Sequence, residues 1–313
     1  MRWLKVAALS LAALLLVSAC GGSPEGELPV QYATQRARTL PAEVEKISGR
    51  GRLVVGVPFD RPLLAHLSVV DLPFDEAPLA GLRPHRGVAR PHRGVGQPHR
   101  VEGFAAEIAR LIALRIFGEA GQQVRFVRTS VDESARSLES GKIDLFIGAT
   151  VMADDQRDAP GLAGPYYLAG QDLLVARTTS KIAQLEDLSG DEVCVATTRD
   201  RRSLRRLNPA TDVDLRGSYD ACAEALAEGE YTAMSGDDMV LAGYASRTPK
   251  RYRLVNAPFT TVPYGVEVPD GRPQLRQLVV QTLALIERNG DWRRAYDHTI
   301  GAIDNTPPVM SGD

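Results

Sequence analysis

Two charged residues, Arg157 and Asp237, occupy positions where an α/β protein can form a binding site. Arg157 follows a buried strand predicted at 143–148 and precedes a Gly-Pro-Tyr-Tyr corner at 164–167. Open α/β sheets bind ligands in a crevice outside the carboxyl ends of their strands. Asp237 follows another predicted strand, at 231–235, and supplies the opposite charge. We therefore expect these residues to contribute one cation and one anion to a crevice.

The segments that carry these charges share a pattern of helix, glycine stop, short strand and loop, seen in ARSLESGKIDLFIGA and AEALAEGEYTAMSGD. Ser130 and Glu133 form a capping box for the first helix, which Gly141 ends, and Ser218 caps the second helix, which ends at Gly229. Apolar patterns predict further strands at 53–57, 124–127, 172–176, 192–196 and 264–268, and helices near 43–47 and at 104–116, 273–289 and 292–300. This alternation predicts an α/β fold of mostly parallel sheets flanked by helices, and 313 residues suffice for about two lobes.

The N-terminus predicts an exported protein. A basic start leads into an apolar core at 6–17, and Val-Ser-Ala precedes Cys20. A core this short is typical of a signal peptide rather than a spanning helix. We expect cleavage after residues 1–19, lipid attachment to Cys20 and a tether at 20–49, which would anchor the protein on the extracytoplasmic face of the membrane. The alternative is a plain secretory signal in which Cys20 occurs by chance.

Two further cysteines, Cys194 and Cys222, fall on a predicted strand and a predicted helix. In an oxidising compartment, an isolated pair is most simply a disulfide. The alternative is a pair of buried thiols, because sequence spacing does not fix their geometry.

A histidine-containing repeat, LRPHRGVARPHRGVGQPHRV, occupies 82–101. Its regular prolines exclude a helix, and Pro-rich basic repeats do not pack a core, so it predicts an exposed insertion. His85, His92 and His99 recur in register, and His-rich tracts can bind metal. No carboxylate or cysteine accompanies them in the repeat, so we predict neither a metal site nor a cofactor.

The composition argues against a nucleic-acid partner. The net charge is −2, and no basic face combines with aromatic residues. Of the 37 basic residues, 32 are arginine, so any single arginine cluster, such as RDRRSLRRL at 199–207, carries less weight.

Eight segments, in order along the chain, resemble one family: GRLVVGVPFDRP, VEGFAAEIARLIA, LESGKIDLFIGATVMADDQRD, AGPYYLAGQDLLVA, LEDLSGDEVCVAT, SYDACAEALAEGEYTAMSGDDMVLAGYA, VPYGVEV and NGDWRRAYDHTIG. The family is the extracytoplasmic solute-binding proteins of amino-acid ABC importers (family 3), especially glutamate/glutamine-binding lipoproteins. The resemblance implies a type II periplasmic-binding-protein-like fold. Lobe 1 would comprise 50–168 and 264–302, lobe 2 would comprise 169–263, and 303–313 would form a tail. Ligand would bind between the lobes, which close by a hinge motion.

The resemblance also implies roles for the two opening charges. Arg157 matches the arginine that pairs with the ligand α-carboxylate, a contact suited to the planar guanidinium. Asp237 matches the lobe 2 aspartate that holds the α-ammonium. Taken alone, Arg157 could be a solvated loop arginine, and Asp237 could cap a helix at 238–245.

The expected side-chain pocket departs from the family pattern. Thr150 is kept, but Met152 stands where relatives carry a threonine, and the loop after the Cys194 strand lacks its usual glycine. The other candidate contacts are Thr197, Thr198, Arg199, Phe59 and Phe104. Arg199 would meet an acidic ligand side chain or would lie on a solvated helix face, and either phenylalanine could instead belong to the core.

The expected function is capture of a glutamate- or glutamine-like amino acid by a monomer and its delivery to an ABC permease. A ligand-sensing lipoprotein of the same fold is the alternative. We do not predict an enzyme, because His66 and His298 fall in peripheral segments and no nucleophile–base arrangement is evident.

Overall fold

The computed structural model of the chain describes residues 30–61, 63–68, 100–119, 123–152, 159–178 and 181–301. Several sequence predictions lie outside these residues: the signal peptide at 1–19, Cys20, the repeat as far as residue 99, Arg157 and the tail at 303–313. The elements described below belong to the compact unit Tyr32–Asp313.

Eight α-helices and thirteen strands are found in the described ranges. The helices are α1 (Ala42–Gly49), α2 (Phe104–Phe117), α3 (Val131–Glu139), α4 (Thr198–Leu207), α5 (Tyr219–Glu228), α6 (Asp238–Arg247), α7 (Pro273–Arg288) and α8 (Asp291–Thr299). The strands are β1 (Leu53–Val57), β2 (Asp60–Arg61), β3 (Ala65–Ser68), β4 (Arg100–Glu102), β5 (Val124–Arg128), β6 (Leu145–Val151), β7 (Leu162–Ala169), β8 (Gln171–Ala176), β9 (Glu192–Val195), β10 (Asp212–Leu215), β11 (Ala233–Asp237), β12 (Tyr252–Leu254) and β13 (Val262–Glu267).

Two five-stranded sheets organise the fold, which confirms the predicted two-lobe α/β architecture. Their orders are β5-β1-β6-β13-β7 and β10-β9-β11-β8-β12. Each sheet is mixed rather than mostly parallel, because two of its pairings are parallel and two are antiparallel. The antiparallel pairings involve the strands next to the two passages of the chain between the sheets. We refer to the body around the first sheet as lobe 1 and to the body around the second as lobe 2.

The chain passes between the lobes twice. The first passage is at Gly170, between β7 and β8, and the second is the segment 255–261, between β12 and β13. A Cβ built on Gly170 would lie 2.4 Å from Pro258, so the two passages touch at a point that only glycine fits. The ligand-binding crevice expected from the sequence would lie beside these passages.

The small sheet β2-β3-β4 extends lobe 1, and its strands were not predicted. Because β4 begins at Arg100, the last two residues of the predicted insertion at 82–101 are in a strand instead. Val101 is buried in the lobe 1 core.

The lobe 1 core contains an aromatic cluster around Phe104. The Phe104 ring is fully buried and lies 5.5 Å from the ring of Trp292 and 5.8 Å from that of Tyr167. Phe104 is therefore a core residue, the second of the two roles that its sequence position allowed. Phe59 is partly buried against the same core.

Part of the predicted tether is packed on lobe 1. Val44 and Ile47 of α1 are buried in the lobe 1 core. The backbone N–H groups of Ala33 and Thr34 donate to the Asp291 carboxylate at 2.8 and 2.6 Å. Residues 32–49 thus belong to the folded body, and a free tether at 20–49 would have to be shorter than predicted.

The predicted disulfide between Cys194 and Cys222 is present. It joins β9 to α5 with a Cα–Cα distance of 5.5 Å. Both residues are fully buried in a lobe 2 cluster with Leu174, Met234 and Leu241. The bond therefore fixes α5 to the sheet inside one lobe.

Among the helices described, none is both long and apolar enough to cross a bilayer.

Candidate functional site

Asp237 lies at the boundary between the lobes as the last residue of β11. It occupies the N-cap position of α6, but its side chain does not cap that helix. Its carboxylate instead accepts hydrogen bonds from the Arg199 guanidinium and from the Tyr264 hydroxyl, and the residue is 2% exposed. The capping role that its position allowed is thus not adopted.

Arg199 reaches Asp237 from the first turn of α4. Thr197 caps this helix by accepting the backbone N–H of Asp200 at 3.1 Å, which fixes the turn that carries Arg199. The guanidinium also donates to Asp200 Oδ1, at 2.9 Å from Nη2 and 3.1 Å from Nε. Burial opposes ionisation of Arg199, but Asp237 and Asp200 together raise its pKa.

Tyr264 connects this cluster to lobe 1, because it belongs to β13 of the first sheet. Burial and the neighbouring Asp237 charge raise the pKa of the fully buried Tyr264 hydroxyl well above its usual value. The hydroxyl therefore stays protonated and acts as a donor to Asp237. On the lobe 2 side, the Tyr219 hydroxyl donates to Asp200 Oδ2 at 3.3 Å.

We call Arg199, Asp200, Asp237, Tyr219 and Tyr264 the interlobe cluster. When both aspartates are ionised, its charges sum to −1, although burial raises the pKa of Asp200. Each carboxylate oxygen has two lone pairs, so Asp237 keeps acceptor capacity beyond the two donors that it already contacts. The cluster can therefore accept one further cationic donor, such as an ammonium group.

Arg61 is a second cation at this boundary, and the sequence interpretation missed it. Burial raises the pKa of Tyr166 in lobe 1 and of Tyr219 in lobe 2, and the Arg61 charge lowers both. The Arg61 charge thus acts on tyrosine hydroxyls of both lobes. Within the described part of the chain its guanidinium has no hydrogen bond or ion pair. Its position in GVPFDRP, just after β1, was the available signal.

Thr150 and Met152 lie at the end of β6 and within lobe 1. The Thr150 hydroxyl donates to the Glu267 carboxylate, so this donor is already used. Met152 is 1% exposed and packs against Gly265, where an added Cβ would lie 2.6 Å from its sulfur. The bulky thioether is accommodated by a neighbouring glycine rather than by open space.

The structure brings Thr197, Arg199 and Asp237 together, and it leaves Thr198 exposed on α4. A pocket of about 660 Å³ lies elsewhere, beside the start of β6 and the loop after β13. We assign the candidate site by its chemistry, because the pocket at the far end of lobe 1 includes none of the interlobe cluster. Among the described residues, no group of three His, Cys, Asp or Glu side chains could hold a metal ion.

Two acids, the buried Asp172 and the half-buried Asp238, flank the passages. Burial raises the pKa of Asp172 to about 6 and that of Asp238 to about 7, and the Asp237 charge adds to the shift of Asp238. Asp238 Oδ1 accepts the Met239 N–H at 2.6 Å, and its own N–H donates to the Gly170 carbonyl at 2.8 Å. Both carboxyl groups beside the passages thus have raised pKa values.

Asp238→Asn is expected to stabilise the protein at pH 8 by about 1–2 kcal/mol and to have little effect at pH 4. A raised pKa in the folded state means that the native protein binds the proton more tightly than the unfolded chain does. Stability from this group is present at low pH and is lost as the pH rises through about 7. Asparagine keeps the acceptor for Met239 without the buried charge.

The measurement is urea unfolding of the native protein and the variant from pH 4 to pH 8. Asp132→Asn is the matched control, because Asp132 is exposed on α3. A stability difference between Asp238→Asn and the native protein that does not change with pH would contradict the prediction.

The family model of the bacterial extracellular solute-binding proteins, family 3, matches residues 88–302. Among curated proteins, the chain is 26% identical over 294 residues to the ABC transporter glutamine-binding protein GlnH of Bacillus subtilis, covering 93% of this chain and 94% of that protein. It is 22% identical over 211 residues to the glutamate-binding protein GluB of Corynebacterium efficiens, covering 64% of this chain and 72% of that protein.

Solved structures share the fold. The amino acid ABC transporter substrate-binding protein AbpA of Streptococcus pneumoniae, bound to L-arginine, matches with a TM-score of 0.59 at 19% identity, over 84% of this chain and 100% of that one. An ancestral cationic amino acid solute-binding protein matches with a TM-score of 0.61 at 22% identity, over 83% of this chain and 100% of that one. These likenesses establish the architecture.

Proposed function

Because the chain belongs to the bacterial extracellular solute-binding proteins of family 3, we propose that it captures a glutamate- or glutamine-like amino acid between its lobes and delivers it to an ABC permease. The curated relatives named glutamine-binding and glutamate-binding support this ligand class. The net charge of the interlobe cluster supports a ligand that carries an ammonium group.

The observation that carries the proposal is the Asp237 carboxylate. It is buried, belongs to lobe 2, and is hydrogen-bonded to Tyr264 of lobe 1. An ammonium group placed on it would contact an acid that both lobes hold, so binding would favour the closed arrangement.

The ligand carboxylate would pair with a cation of lobe 1. Arg157 has this role by resemblance, and Arg61 is a described cation whose charge acts on tyrosines of both lobes. Charge-assisted hydrogen bonds contribute about 1.5–3 kcal/mol each, and micromolar affinity needs about 8 kcal/mol. Several such contacts at the two ends of an amino acid would supply most of that free energy.

Arg199 would select the ligand side chain. Its guanidinium is bound to Asp237 and Asp200, but the side chain is 37% exposed. That exposure leaves part of the guanidinium able to meet a carboxylate or amide oxygen. A glutamate or glutamine side chain offers such an oxygen, which supports this pair of amino acids over apolar ones.

We further propose that lipid attachment at Cys20 holds the protein at the extracytoplasmic face of the membrane. The apolar segment at 6–17 and the small residues before Cys20 support this proposal.

The test is calorimetric titration, with thermal unfolding as a second readout, of protein lacking residues 1–20 against the twenty amino acids. We expect glutamate or glutamine to bind, and ligand at 100 times its dissociation constant to stabilise the fold by about 2.7 kcal/mol. Glutarate, which lacks the ammonium group, is the matched control and should not bind. The proposal fails if no amino acid binds or if glutarate binds as tightly as glutamate.

A further inference from the structure

A pocket of about 280 Å³ lies between α4 and the second passage, and the residues that line it include three arginines and no acid. Arg199, Arg202 and Arg206 form one wall, and Thr260 and Thr261 form the opposite one. This pocket is not where Arg199 meets Asp237, because neither aspartate of the interlobe cluster lines it.

The arginine wall follows from helical spacing. Residues 199, 202, 203 and 206 fall at i, i+3, i+4 and i+7, which is one face of α4. Like charges at these spacings destabilise a helix, and cations in its first turn oppose the helix dipole. That face is turned toward the second passage, and Arg202 and Arg206 remain exposed to solvent.

Most polar side chains of the pocket have hydrogen-bond donors that lack an acceptor in the described ranges. The Ser203 hydroxyl is buried and has no hydrogen-bond partner among the described residues. Neither the Arg202 nor the Arg206 guanidinium has an ion pair or hydrogen bond within that part of the chain. Thr260 Oγ1 accepts the Gln171 N–H at 2.8 Å, so its own proton remains available for donation.

We propose that this pocket binds a phosphate-like oxyanion, with Arg202 and Arg206 as the charged contacts and Ser203 and Thr260 as hydroxyl donors. Guanidinium groups and hydroxyls from two elements match a group with three or four oxygens better than they match a carboxylate with two. The bound group would neutralise the like charges of α4 and give Ser203 its missing partner. It would also link lobe 2 to the second passage.

The test is titration of the purified protein with sodium phosphate at constant ionic strength, with chloride replacing phosphate in the reference. We expect saturable binding that Arg202→Gln/Arg206→Gln weakens at least tenfold and Ser203→Ala weakens about threefold. The control, Arg177→Gln/Arg201→Gln, removes the same charge from lobe 2 outside the pocket and should bind within twofold of the native protein. Far-ultraviolet circular dichroism and urea unfolding of each variant exclude misfolding.

A second part of the experiment distinguishes free phosphate from a lipid headgroup as the source of the oxyanion. Vesicles containing phosphatidylglycerol are compared with vesicles of phosphatidylcholine alone. Binding of free phosphate or of phosphatidylglycerol vesicles that depends on Arg202 and Arg206 supports the pocket and identifies its ligand as soluble or as a lipid headgroup. Equal weakening by the pocket pair and the control pair, or no saturable binding in either arm, overturns the proposal. Amino-acid binding is measured separately, so failure of the two proposals can be distinguished.

Discussion

Asp237→Asn is expected to weaken amino-acid binding about 10- to 150-fold, the equivalent of one charge-assisted hydrogen bond of 1.5–3 kcal/mol. Asparagine can still accept a hydrogen bond from Arg199 or Tyr264, so the cleft keeps its shape. The cluster charge would change from −1 to neutral, and a ligand ammonium would then meet no net negative charge. Calorimetric titration of glutamate and glutamine measures the loss.

Two variants sharpen this test. Asp212→Asn removes the same charge from an exposed position in lobe 2 and should leave affinity unchanged. Tyr264→Phe removes a neutral donor to the same carboxylate and should weaken amino-acid binding less than Asp237→Asn does. Because removal of one partner of a buried ion pair can destabilise a protein by about 3–5 kcal/mol, binding is measured well below each variant's unfolding midpoint. Native-like affinity in Asp237→Asn would exclude Asp237 as the ammonium site.

Reduction of the Cys194–Cys222 disulfide is expected to lower the free energy of unfolding by about 3–4 kcal/mol. The bond closes a loop with a sequence separation of 28, and in the chain-entropy account its loss restores conformational freedom to the unfolded chain. Both sulfurs are buried between β9 and α5, so the native contacts of lobe 2 would persist at first.

Urea unfolding of the native protein with and without dithiothreitol measures this effect. The free energy of unfolding of Cys194→Ala/Cys222→Ala should equal that of the reduced protein, apart from the destabilisation caused by two small cavities. It should not change when dithiothreitol is added. An unfolding midpoint that dithiothreitol leaves unchanged in the native protein would contradict the prediction.

Local features were predictable from the sequence because neighbouring residues determine them. The capping box of Ser130 and Glu133 opens α3, and Ser218 and Gly229 bound α5, as their residue types predict. A continuous apolar run located β1, which is buried throughout, and apolar residues at helical spacing located α2 closely. The short strands β2, β3, β4, β10 and β12 carry too few residues for a periodic signal, and they were missed. The eight-residue β7 includes the Gly-Pro-Tyr-Tyr segment, which the sequence predicted only as a corner.

The sequence alone also placed Asp237 near the end of a strand. It showed that two cysteines could pair and that a family of two-lobed binding proteins shares the chain's motifs. Only the tertiary structure decided what Asp237 contacts: Arg199, 38 residues away, and Tyr264, 27 residues away in the other lobe. It also placed Phe104 in the core. Such contacts depend on sheet order and on two chain passages, which bring together charges that no local spacing relates.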